Sequence, residues 1–361
     1  MKTKLLAILL AVALLFCSCT KNQEGAASSV ENTANTAAKL ELDNKIEGLI
    51  TAAKFSGSAF VANKDTVLFD KAYGYSDLAQ SKENTTQTAF LIASLTKQFT
   101  GAAIFQLEEA GKLSPEDTLD KYFPKYAYCK DITIADLLAM KAGFDDLDLT
   151  DMLTSDLSKA YAELSKLTPQ QGEDFILEKG ATRSKTFHYS NTSYYLLGRI
   201  IEKASGLSYN EYVKEKLLTP PGMNQTGFAG EVPTAEPITK DAFVIPSTGI
   251  YTLFYSAAAL VSTTGDLNKW LDAYFGGKLF KSEYLERLNG YNYGWYNDGV
   301  WYHHDGVFSG VRANIMYDKS TGTKAILLAN NDNLDSSGIY NLGRYISIAA
   351  NSFAANSITE E

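Results

Sequence analysis

Residues 92–101, IASLTKQFTG, decide how the rest of the chain is read. Ser94 and Lys97 stand three positions apart, behind an apolar run and ahead of Phe99, Ala103 and Leu107, which with Leu95 recur at helical spacing. Residues three apart share a helix face, so the lysine can sit beside the hydroxyl. A helix start also offers free backbone N–H groups and a dipole that favours negative charge. Apolar Leu91, Ile92 and Phe99 could desolvate the ammonium and lower its pKa, as a lysine base requires. On these residues alone, a helix start with an exposed lysine reads equally well. The pattern S-x-x-K is weak by itself and recurs as Ser18-Cys19-Thr20-Lys21.

Working outward, GSAFVAN and TVLFDKAYGY alternate apolar and polar residues around Lys64-Asp65 and predict an antiparallel hairpin after a helix near ELDNKIEGLITAAK. Helical signals dominate from Ser94 to about residue 240, with Gly111 as a stop, Thr133 as an N-cap before IADLLAM, and a helix in TSYYLLGRIIEKASG. Strands then return. YNYGWYNDGVWYHHDG holds a hairpin turn at Asn297-Asp298-Gly299, RANIMYDKSTGTKAILLANND repeats strand–turn–strand, and SGIYNLGRYISIAANSF closes as a helix. Strands at both ends flanking a helical middle predict an α/β fold: an antiparallel sheet flanked by helices, with an α-rich inserted subdomain. The expected domain is 41–350, its α/β part 41–93 and 241–350, its α-rich part 94–240, followed by a tail at 351–361.

The first 18 residues predict a signal peptide: basic Lys2 and Lys4, an apolar run from Leu5 to Phe16 too short to span a membrane, then small Ser18. Cys19 follows at once, as in the lipobox of bacterial lipoproteins, although Phe16 and Cys17 depart from that pattern. The expectation is a lipidated Cys19 and a disordered tether over 19–40, small and polar, giving an exported protein anchored to a membrane. Free secretion is the other reading. Cys129 is then the one thiol left in the domain, so no internal disulfide forms. The net charge of −9 becomes −11 once Lys2 and Lys4 are removed, and no basic stripe offsets it. Nucleic acid is excluded as a partner. Three histidines without ligand spacing imply no metal, and no cofactor is expected.

Two further motifs bear on chemistry. Tyr189-Ser190-Asn191 is the only Y-x-N, just before a helix, and His304-Asp305-Gly306 is the only H-x-G. A phenol beside a lysine can exist partly as phenolate and shuttle a proton, and an Asn amide can hold a carbonyl. A core tyrosine, a helix-capping Asn and a satisfied strand histidine are the bland alternatives. A glycine at 306 would let substrate lie along the strand edge, with a backbone N–H just beyond it completing an oxyanion hole.

In the order S-x-x-K, Y-x-N, H-x-G, the chain resembles the serine β-lactamase and penicillin-binding-protein superfamily, on the branch of class C β-lactamases, related DD-peptidases and esterases. The likeness extends over about residues 45–345, through ITIADLLAMKAGF, TPPGMNQTGF and ALVSTTGDLNKWL. It implies a β-lactamase/transpeptidase-like fold and a serine hydrolase working through an acyl-enzyme. It implies Ser94 as nucleophile, Lys97 as base or shuttle, and Tyr189 as proton donor to the leaving group. Asn191, His304 and Gly306 would bind substrate, and the N–H groups of Ser94 and Val307 would form the oxyanion hole. Whether Lys97 or Tyr189 takes the serine proton stays open. True class C enzymes usually carry Lys-Thr-Gly, whose ammonium meets a β-lactam carboxylate. A histidine, mostly neutral near pH 7, shifts the expected substrate toward a D-amino-acid peptide or ester. A β-lactamase and a penicillin-binding sensory protein with little turnover are the alternatives.

Overall fold

The computed structural model describes residues 35–146, 166–182, 184–239 and 254–358. The expected signal peptide and Cys19 lie outside the described residues. Helix α1 covers 35–52, beginning inside the stretch expected as a tether. Leu42, Ile46 and Ile50, four apart, bury one stripe, and the helix extends back from them through Ala37 and Ala38 with a Lys39–Asp43 ion pair of 2.5 Å.

Strands β1 (Gly57–Asn63) and β2 (Thr66–Tyr73) form the expected hairpin. Short strands β3 (Tyr75–Asp77) and β4 (Lys82–Glu83) pair beside it, and β5 (Phe90–Leu91) leads into helix α2 (Thr96–Glu109). The middle holds α3 (Ile134–Leu138), α4 (Pro169–Lys179) and α5 (Asn191–Ser205). It is not wholly helical: β6 (Gly227–Phe228) joins β5 through β7 (Leu260–Ser262) in a small sheet. Helix α6 (Thr264–Phe275) follows, then β8 (Gly290–Asn292), β9 (Trp295–Asn297), β10 (Tyr302–Phe308), β11 (Val311–Asp318), β12 (Thr323–Ala329) and α7 (Ser336–Ile358). Helix α7 runs through most of the expected 351–361 tail, with half-buried Phe353 packed on the core.

The main sheet is antiparallel and seven-stranded, in the order β2-β1-β12-β11-β10-β9-β8. Phe60 pairs with Ile326 across β1 and β12, so the two ends of the chain meet in mid-sheet. Both faces are covered. On β12, Ala325, Leu327 and Ala329 face α1 and α7, while Ile326 and Leu328 face the core around α2. The aromatic hairpin has a turn beyond the expected one. Tyr293 (φ 50°) and Gly294 (φ 81°) join β8 to β9, as a two-residue turn with positive φ at both positions does. The Asn297-Asp298-Gly299 stretch leads into the β9–β10 connection, where Asp298 Oδ1 accepts the N–H groups of Val300 and Trp301.

Candidate active site

Ile92 donates its N–H to Leu260 O (2.9 Å), and the chain then reverses through Ala93 at φ 46°. This left-handed conformation costs an alanine on the order of 1–2 kcal/mol and is held by complete burial. A 3₁₀ turn, Ala93–Leu95, feeds directly into α2. Within residues 89–105, Ser94 is the one residue not buried. Its hydroxyl caps no helix, because the N-cap position of α2 is Leu95, without a side-chain cap.

The Ser94 hydroxyl instead meets two side chains. Lys97 Nζ lies 3.1 Å from Oγ, and Tyr189 OH donates to Oγ at 2.8 Å. Lys97 is fully buried and also donates to Asn191 Oδ1 (2.7 Å) and to Ala257 O (2.9 Å). Both of those oxygens only accept, so they occupy two N–H bonds. The remaining position on nitrogen faces Ser94: an N–H in the ammonium, a lone pair in the neutral amine. Burial lowers the Lys97 pKa to about 7, against an opposing pull from Asp146, so the lone pair is available near neutrality. Burial has the opposite effect on Tyr189 and raises its pKa well above the usual phenol value. Tyr189 therefore rests as the neutral phenol and donates to Ser94 Oγ.

The Y-x-N segment reaches this point through α5. Ser190 caps that helix, accepting from Ser193 N–H (3.1 Å), which leaves Asn191 free of the capping role. Asp146 accepts from the Asn191 backbone N–H (2.7 Å) and from Nδ2 (3.2 Å), turning Oδ1 toward Lys97. Sequence reasoning missed Asp146. Its signal was the acidic pair Asp145-Asp146 behind Phe144, with no motif to single it out.

His304 is 1% exposed, with Nδ1 2.7 Å from Asp305 O and no partner for Nε2 among the described residues. Burial and nearby Lys97 lower its pKa to about 3. The ring is neutral, donates through Nδ1–H, and presents Nε2 as an acceptor. Gly306 also has a packing role. A Cβ there would lie 2.3 Å from Ile92 O, so the glycine lets β10 pack against the turn that carries Ser94. Gly294 does the same from the next hairpin, its notional Cβ 2.4 Å from the Lys97 carbonyl carbon.

Ser94, Tyr189, Asn191, His304 and exposed Val307 line one cleft of about 660 Å³. Strand β9 pairs only with Tyr302 and His303 of β10, so the later residues of β10 border this cleft along their edge. Asp305, Tyr296, His303 and the start of α7 also line it, and none of these was anticipated. A groove of equal volume bounded by Ser76, Lys82, Glu231 and Glu236 holds no comparable set among the described residues. Cys129 is buried, and burial pushes its thiol up to about 11, which suits a packing role.

The family model described as Beta-lactamase matches residues 42–350. PbpX of Bacillus subtilis (strain 168), which bears the name of a penicillin-binding protein, is 26% identical over 308 residues, covering 81% of this chain and 75% of that one. The teichoic acid D-alanine hydrolase of Staphylococcus aureus is 27% identical over 317 residues, covering 82% and 76%. The crystal structure of D-amino acid amidase from Ochrobactrum anthropi SV3 superposes with a TM-score of 0.72 over 86% of this chain and 99% of that one. At 22% identity, that match is a likeness of fold.

Proposed function

The chain belongs to the beta-lactamase family and is a serine hydrolase; we propose that it works through a Ser94 acyl-enzyme on a D-amino acid peptide, amide or ester of the cell envelope. The observation that carries this reading is the Ser94 hydroxyl held between a buried amine at 3.1 Å and a phenol at 2.8 Å. Neutral Lys97 takes the serine proton as Oγ attacks the carbonyl carbon. The N–H groups of Ser94 and Val307 receive the developing oxyanion. Tyr189 then protonates the leaving nitrogen or oxygen as its bond to carbon breaks, and Lys97 returns a proton to Tyr189. Water attacks the ester by the same route in reverse and releases the acid.

The substrate class draws on two supports. Relatives include a teichoic acid D-alanine hydrolase, and neutral His304 offers a β-lactam carboxylate no positive charge. Export through residues 1–18 and anchoring through a lipid on Cys19 belong to the same proposal. So does the division into 41–93 with 241–350 and 94–240, with its outer limits moved to the helices that begin at 35 and end at 358.

Intact-mass analysis after mixing with a D-alanyl ester tests the reading. The expected result is one D-alanyl adduct on the wild-type chain and none on Ser94→Ala. An equal adduct on Ser94→Ala overturns the nucleophile assignment. Persistent labelling by a fluorescent penicillin without ester turnover favours a stalled binder instead.

A further inference from the structure

We propose that Asp305 is the specificity-determining residue of this cleft, selecting aminoacyl esters or amides that carry a free ammonium and rejecting substrates that carry a carboxylate near the scissile bond. The inference rests on the hydrolase reading above and concerns the charge of its substrate.

Asp305 is the one carboxylate among the residues lining the cleft, and no Lys or Arg lines it among the described residues. Lys97 lies beneath, with its N–H bonds directed at Asn191, Ala257 and Ser94. Arg312, across from Val307 on β11, donates its guanidinium to the carbonyls of Leu334, Phe308 and Val311. The first turn of α7 borders the cleft and would otherwise attract an anion. It is already closed by Asp335, whose Oδ1 accepts from Ser337 Oγ (2.8 Å) and Gly338 N–H (2.7 Å). An incoming carboxylate therefore meets like charge with no cation to offset it.

An ammonium meets the reverse. Asp305 Oδ1 is held by Asn314 Nδ2 at 2.6 Å, which orients the carboxylate and leaves Oδ2 without a partner among the described residues. Burial lifts the Asp305 pKa to about 6, so the group is mostly ionised at neutral pH and a bound cation stabilises that form further. Tyr296 and Tyr340 flank the same space and sandwich His303, at ring-centroid distances of 5.4 and 4.8 Å. Burial holds His303 neutral, with its pKa near 4. Aromatic faces beside a carboxylate favour an ammonium.

The test uses three D-alanyl esters of one alcohol: the free ammonium, the neutral N-acetyl and the anionic N-succinyl form. Each kcat/KM is divided by the ester's own hydroxide hydrolysis rate, because an α-ammonium activates the carbonyl without help. Wild-type protein is expected to prefer ammonium over N-acetyl at least tenfold, with N-succinyl slowest. Asp305→Asn is expected to shrink the ammonium preference at least fivefold, chiefly through KM. A structural defect would slow all three together and leave the ratio intact. An equal or reversed order in the wild type overturns the inference while the hydrolase reading stands, as does an unchanged ratio in the variant. If no ester acylates Ser94, the hydrolase reading itself fails and takes this inference with it. Should Asp305→Asn not fold, Asp305→Ser is read in the same way, with the same fall in the ammonium preference expected and an unchanged ratio overturning the inference.

Discussion

The two faces of the seven-stranded sheet are built on different terms. Toward α1 and α7 the layer is mainly apolar, with Leu42, Ile46, Ile50, Val61, Leu327, Ile339 and Ile346 all buried. It also takes in the buried amide of Asn314 that holds Asp305. Toward α2 and α5 the layer is just as deeply buried, yet it encloses Lys97 and His304. Most of the first face needs only side chains of the right shape at the right period. The second bears the cost of burying polar groups, and that cost is what makes them reactive: the same desolvation brings Lys97 to about 7 and holds Tyr189 protonated. A buried polar cluster beside an accessible hydroxyl marks the site better than any single motif does.

Substitutions on the two faces should therefore fail in different ways. Lys97→Ala is expected to lower kcat/KM for ester hydrolysis about 10³-fold, equivalent to about 4 kcal/mol. Wild-type activity should rise with pH through about 7 as Lys97 loses its proton, and this limb should vanish in the variant. The lowered pKa also has a stability sign. Between about 7 and the ordinary lysine value of 10.5, the unfolded chain holds a proton that the folded chain lacks. Stability relative to Lys97→Ala should rise with pH across that window, as urea midpoints at pH 7 and 10 would report. A flat difference removes the desolvated lysine from the account.

Ile346→Ala probes the opposite face. It should cost about 3 kcal/mol in chemical denaturation and leave kcat/KM per folded molecule within twofold. A large loss of activity would break the contrast by coupling the two layers. Gly306→Ala tests the seam between them. Its Cβ must displace the Ile92 carbonyl, so a loss of about 2 kcal/mol in stability should accompany a drop in acylation rate, both absent if β10 can shift freely. Tyr189→Phe is expected to lower kcat about 10²-fold with the pH limb of Lys97 preserved. Loss of that limb would make the tyrosine the base.

Much of this was legible in residue order. The β1–β2 hairpin at Lys64-Asp65, the β11–β12 hairpin and the period switch at Ser94 follow from alternation and turn chemistry, and all three stand in the structure. The less legible parts involve residues distant in sequence or without a motif. Asp146 orients Asn191 across 45 positions, and the Ala257 carbonyl reaches Lys97 across 160. The end of the tether was misplaced because Ala37 and Ala38 look featureless until Leu42 anchors the helix behind them. The packing need for glycine at 306 is not legible because its neighbour across the fold, Ile92, cannot be seen from the strand.

By itself the sequence determined that an antiparallel sheet joins both ends of the chain, that a helical segment interrupts it, and that Ser94, Lys97, Tyr189, Asn191 and His304 are the candidates. Those features depend on periods of two and 3.6 and on local turn geometry, which each segment carries alone. Only the tertiary structure decided that Lys97 is fully buried with two obligate acceptors, that Tyr189 donates, that His304 is neutral, and that a carboxylate borders the cleft. Protonation states follow from solvent exclusion and neighbouring dipoles, and those exist only once distant segments have packed together.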